Sequence, residues 1–66
     1  MVRPGDKGPE VERLQKALGA AGHYTGPVDG TYNPGLGDAI QAYQRSQSQP
    51  ADGVAGPATL DRLNLY

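Results

Sequence analysis

The stretch Pro27-Val28-Asp29-Gly30-Thr31-Tyr32-Asn33-Pro34-Gly35-Leu36-Gly37-Asp38 returns 23 residues later as Pro50-Ala51-Asp52-Gly53-Val54-Ala55-Gly56-Pro57-Ala58-Thr59-Leu60-Asp61. Each copy reads Pro-x-Asp-Gly-x-x-(Asn or Gly)-Pro, and Ile40 and Leu63 extend the match as apolar partners. This is a rule for ending one helix and starting another. The Asp bonds amides of its own turn, the Gly accepts positive φ, and the second Pro suits a first helical position, where a missing amide costs nothing. Asp29, Gly30, Asp52 and Gly53 are therefore expected to be structural turn residues.

Working outward, Asn33 caps and Pro34 opens a helix whose inward stripe is Leu36, Ile40, Tyr43 and Gln47. Gly35 and Gly37 weaken its first turn, each by up to about 1 kcal/mol relative to Ala, so this start should fray. Ser46 to Pro50 is polar and ends the helix. The second Asp-Gly turn then leads through Gly56 and Pro57 into a short last helix with Leu60 and Leu63 inward, after which Leu65 and Tyr66 fold back over the helix ends. Upstream, Val2 to Gly8 is a Pro/Gly-rich loop opening onto Pro9, with Glu10 and Glu12 at the positive end of a helix dipole. Val11, Leu14, Leu18 and Ala21 recur at helical spacing, and the helix stops near Gly22. His23 to Asn33 shows no sustained alternation and reads as a structured loop. The expected fold class is all-α, a small three-helix bundle with two Asp-Gly turn loops, in one domain spanning residues 1–66.

Composition narrows the function. A 66-residue chain without Cys has neither disulfides nor thiolate chemistry and supports one small core, leaving little room for a buried catalytic cavity. Its core must use Leu, Ile, Val, Ala and Tyr, because Phe and Trp are absent. Six basic residues against seven acidic ones, without a run of either sign, give no basic face for nucleic acid. Apolar runs are too short for a membrane span or a signal peptide, so an export signal would lie outside this chain. One His23 makes no metal cluster. The Asp-Gly pairs lack the alternating ligands and closing Glu of a calcium loop, so no metal or other cofactor is expected. His23 with Glu12 lacks a third, orienting group, and no phosphate loop is present, which points away from an enzyme.

Gln15 and Gln44 follow the inward Leu14 and Tyr43, at the edge of the core. There a side-chain amide can tie a helix to an Asp-Gly turn.

The run Gly5-x-x-Gly8-x-x-Val11-x-x-Leu14-Gln15-x-x-Leu18, then Gly22-x-Tyr24-x-Gly26-x-x-Asp29-Gly30-x-Tyr32, Ala39-Ile40-x-x-Tyr43-Gln44 and Pro50-x-Asp52-Gly53-Val54-Ala55-Gly56-Pro57-x-Thr59-Leu60, resembles the bacterial peptidoglycan-binding domain found beside cell-wall hydrolases. The resemblance implies a noncatalytic three-helix module that targets an attached or partner wall hydrolase, or an envelope or phage protein, to peptidoglycan. It places the protein in the bacterial envelope or outside the cell, as a monomer carrying or partnering a catalytic domain. The sequence departs from the family where Asn33 stands for a frequent Gly, Leu36 for Thr, Ser48-Gln49 for Gly-Leu and Ala51 for Val. The Gln49 and Ala51 changes remove apolar bulk beneath the second turn. The same helical fold also resembles matrix metalloproteinase prodomains, whose inhibitory cysteine this chain lacks, so a protein-interaction or regulatory module is the alternative function.

Candidate ligand residues follow from exposure and residue type. Tyr24 follows a helix-ending Gly in a polar loop and belongs to no apolar stripe, so its ring is expected to be open for stacking on a sugar. Core packing is the first reading for Tyr32 and Tyr43, with hydroxyls that can reach the surface. Asp38, Gln41 and Arg45 form a polar row on the second helix, from which Arg45 would pair with a stem-peptide carboxylate while Gln41 and Asn33 bond its amides. Thr31 and Tyr32, beside the first turn, complete the ligand set.

Overall fold

A computed structural model describes residues 1–65 of the chain. Three helices, α1 (Pro9–Ala20), α2 (Pro34–Ser46) and α3 (Pro57–Arg62), enclose one core, and among the described residues there is no sheet. Each helix opens on a proline, as the motif chemistry requires, and Asn33 caps α2 by accepting from the Leu36 amide at 2.8 Å. Inward residues Val11, Leu14 and Leu18 of α1 meet Leu36, Ala39, Ile40 and Tyr43 of α2, and Leu60 of α3 closes the end. Leu63, Leu65 and Tyr32 pack on its margin. The expected position of Tyr66 lies outside the described residues.

Local sequence also sets where the helices stop. All three end in the same motif, in which the second residue past the cap donates to a carbonyl five positions back: His23 to Leu18 at 2.9 Å, Gln49 to Gln44 at 2.8 Å and Leu65 to Leu60 at 2.9 Å. The residue before each donor takes the left-handed conformation: Gly22 at φ 85°, Ser48 at 57° and Asn64 at 59°. Ser48 is the least suited of the three. Replacing it with glycine should raise stability by roughly 0.5–1 kcal/mol, because relief of left-handed strain exceeds the added freedom of the unfolded chain. A urea midpoint for Ser48→Gly at or below that of the parent, with unchanged slope, would show that Ser48 bears no such strain.

Several expectations are corrected by tertiary packing. The N-terminal loop is not free: Val2 exchanges both backbone hydrogen bonds with Ala55 (2.9 and 2.8 Å), and Lys7 forms an antiparallel bridge with Thr31. Val2 thereby becomes a fully buried core residue. Ala21, expected on the inward stripe, is the exposed cap residue of α1, and Gln47 is half-buried at the end of α2, accepting from Arg62. Beneath the second turn Ala51 is exposed, so its missing bulk opens no core void. Gln49 replaces apolar packing with hydrogen bonds, accepting from the Thr59 hydroxyl at 2.8 Å and donating to the Ala58 carbonyl at 3.3 Å.

Gly37 has a packing reason that outweighs its poor helix propensity. A Cβ there would lie 2.9 Å from the Tyr32 hydroxyl, so glycine lets the Tyr32 ring cross α2 and donate to the Gly53 carbonyl at 2.6 Å. Burial, then the negative charges of Asp38 and Asp52, raise the Tyr32 pKa, which keeps this donor protonated.

Candidate functional site

Two equivalent clasps form the scaffold. In the first, the Gln15 side-chain oxygen accepts from the Gly30 amide at 2.9 Å, while its nitrogen donates to Asp29 Oδ1 at 3.0 Å and the Thr31 carbonyl at 3.1 Å. In the second, Gln44 accepts from the Gly53 amide at 3.2 Å and donates to Asp52 Oδ1 at 3.1 Å and the Val54 carbonyl at 2.8 Å. In both turns the Asp carboxylate also accepts from the amide two residues on, at 3.0 and 2.9 Å. The left-handed φ of Gly30 (74°) and Gly53 (77°) aims the amide at the glutamine, a conformation that costs a residue with a Cβ about 1–2 kcal/mol. Both glutamines are buried with every polar atom satisfied, so they hold loops against helices as expected from their place beside Leu14 and Tyr43.

These bonds also act on the carboxylates. The Gln15 side chain, then the Thr31 amide, lower the Asp29 pKa; the Val54 amide, then Gln44, lower that of Asp52. A depressed native value means that the unfolded chain takes up protons first as pH falls. The contribution of both groups is whole above the ordinary aspartate value of 3.8 and is lost as pH drops through the lower native values. Asn at both positions keeps an acceptor oxygen but removes the titration. Asp29→Asn/Asp52→Asn should therefore show a shallower loss of thermal stability below pH 4 than the parent protein; parallel acid limbs would disprove the linkage.

The first clasp positions a groove. Gln15 and Asn33 both donate to the Tyr24 hydroxyl, at 3.2 and 3.1 Å, and that hydroxyl donates to the Pro27 carbonyl at 2.7 Å. The loop after α1 is thus pinned opposite the start of α2. Between them lies an open groove of about 450 Å³, walled by His23, Thr25 and Gly26 on the loop side and by Asn33, Gly35, Asp38 and Ala42 on the α2 side, with Tyr24 and Ala39 completing it. His23 is braced edge-on against the Tyr43 ring, centroids 5.6 Å apart. Among the described residues no three His, Asp or Glu side chains gather to hold a metal ion.

The six sequence-predicted ligand residues separate in space. Tyr24 and Asn33 line the groove. Tyr24 is only 6% exposed, with its hydroxyl fully engaged, which corrects the expectation of an open ring face for stacking. The physical reason is the helix end, where the His23 and Tyr24 amides both bond the Leu18 carbonyl and turn the tyrosine back over the core. Thr31 is exposed beside Lys7 at the other side of the turn. Tyr32 and Gln41 flank Gly53, and the Gln41 side chain stands 3.5 Å from Arg45. Gln41 and Arg45 share an α2 face with Asp38 and Ala42 by their spacing of three, four and seven residues. His23, Thr25, Gly35, Asp38 and Ala42 are groove residues not in the predicted ligand set. The signal for Asp38 was its place in the polar row; the others form a wall only after the loop folds back.

No helix among the described residues is long and apolar enough to cross a membrane. Residues 7–63 match the family described as putative peptidoglycan binding domain. The chain is 46% identical over 52 residues to the localization factor PodJL of Caulobacter vibrioides and 43% identical over 56 residues to the N-acetylmuramoyl-L-alanine amidase CwlM of Mycobacterium tuberculosis. Those matches cover 79% and 85% of this chain but only 5% and 14% of the relatives. The crystal structure of the SleB N-terminal domain superposes with a TM-score of 0.93 at 36% identity, covering 96% of this chain and 86% of that one. Fold, matched motif and these relatives agree, and the chain belongs to the putative peptidoglycan binding domain family, a noncatalytic binding module.

Proposed function

We propose that this domain attaches a larger wall-acting or envelope protein to peptidoglycan through the groove between the α1–α2 loop and the start of α2, outside the cytoplasm and as a monomer. The observation that carries this reading is the groove itself: it is open, fixed by the hydrogen bonds of Gln15 and Asn33 to the Tyr24 hydroxyl, and walled by the polar side chains of His23, Thr25 and Asp38, which make no hydrogen bond among the described residues. Gln41 and Arg45 extend the contact along α2, while Asn33 and Tyr24 hold the groove's shape. Thr31 and Tyr32 serve the clasp and the Gly53 contact in this reading. A repeating polymer raises the local concentration of any attached catalytic domain, so a weak contact at each repeat suffices.

Co-sedimentation with purified sacculi tests the proposal. The wild-type domain should pellet with the wall and Ala42→Trp, which fills the groove from a partly exposed helix position, should lose most of that binding while melting as the parent does. Wild-type protein that stays in the supernatant across a wide concentration range, or a filled groove that binds unchanged, would overturn it.

A further inference from the structure

We infer that the groove recognises a free ammonium group on the peptide stem of the wall polymer, and that Asp38 is the residue that specifies it; this rests on the peptidoglycan reading above. The glycan is a poor fit to the surface on view. Sugar stacking needs an open aromatic face, yet Tyr24, the one tyrosine lining the groove, is buried with its hydroxyl in three hydrogen bonds, and the groove's other ring, His23, is half-buried against Tyr43. What the groove offers instead is charge and hydrogen bonding.

Asp38 is its single acidic side chain, and no lysine or arginine lines the walls. The Asp38 carboxylate is exposed and has neither an ion pair nor a hydrogen bond among the described residues. It sits past the capped first turn of α2, so no capping task accounts for it; Asn33 already performs that task. A carboxylate at the wall of a concave site, with low-dielectric protein behind it and all its acceptor capacity unused, selects a cation that brings several donors. A primary ammonium with three N–H groups matches. Arg45 lies seven residues further along the same face, roughly 10 Å at 1.5 Å per residue, and supplies the opposite charge for a carboxylate of the same stem. An extended peptide carrying both groups would lie along α2 with its ammonium in the groove and its carboxylate toward Arg45.

The experiment compares three preparations of one wall whose stems carry a diamino acid: intact sacculi, sacculi with their amines acetylated, and glycan strands stripped of stems by an amidase. Wild-type domain should bind acetylated sacculi roughly five- to tenfold more weakly than intact ones, the loss expected for one partly exposed charge-assisted contact, and should not retain binding on stripped glycan. Asp38→Asn should lose the same factor on intact sacculi and nothing further on acetylated ones, with an unchanged melt, and Asp38→Glu should recover part of the loss. Equal binding to intact and acetylated walls, or full binding by Asp38→Asn, overturns the ammonium assignment while leaving wall binding in place. Binding kept on stripped glycan shows that the stem is not required and overturns the stem assignment. Absence of wild-type binding to intact sacculi defeats the peptidoglycan reading itself.

Discussion

Gln44→Ala is expected to lower stability by roughly 3–5 kcal/mol, the sum of a small cavity and buried backbone groups left without partners. The truncation orphans the Gly53 amide and removes the donor to the Val54 carbonyl. The Thr59 hydroxyl is spared because it still donates to Gln49. A domain of this length has about 3–10 kcal/mol of stability in all, so the variant should melt roughly 20–35 °C lower or be unfolded at room temperature. Gln44→Leu separates the causes. It refills the volume but offers no bonds, and should be nearly as damaging as alanine if hydrogen bonding dominates. A Leu variant close to wild type would assign the effect to packing. A Gln44→Ala variant that melts normally yet no longer binds the wall would reverse the role given to this residue, from clasp to ligand contact.

Leu36→Ala should cost about 3 kcal/mol, within the usual range for emptying a fully buried leucine site. Its position adds a local consequence. Gly35 and Gly37 flank Leu36 and disfavour the first turn of α2, which is held by the Asn33 cap and by burial of this one side chain. Removing the side chain leaves the cap to hold the turn alone. Amide exchange at Gly37, Asp38 and Ala39 should therefore accelerate more than exchange in the second half of α2, beyond the global loss. Uniform acceleration along the helix would mean that the cap suffices without Leu36. Because Asp38 and Ala42 line the groove, the same variant should also weaken wall binding under conditions where it remains folded.

Much of this architecture was legible in the chain because its signals are local. Proline at a first helical position, Asn33 as a cap, Gly22 at a helix end and the paired Asp-Gly turns each depend on residues within a few positions, and all three helices begin where those signals stand. The glutamine clasps were legible for a related reason: a polar residue beside a core position must find partners, and the nearest unsatisfied backbone belongs to the turns. Local propensity marks Gly37 only as a weak helix residue, since the crossing of the Tyr32 ring comes from a neighbour whose path periodicity does not describe.

The duplicated motif, the spacing of apolar residues and the placement of proline and glycine thus specified three helices, their ends and most of their inward faces, and the resemblance of the quoted motifs pointed to the family. Tertiary packing decided the rest. It drew Val2 into the core through its bridge to Ala55, folded Tyr24 inward, and set the His23–Gly26 loop opposite Asp38 and Ala42 to make the groove. Helix propensity and turn chemistry act over a single turn of chain. A groove is made by segments that meet only after the core has formed, and which of their side chains stay exposed depends on how closely the backbones approach.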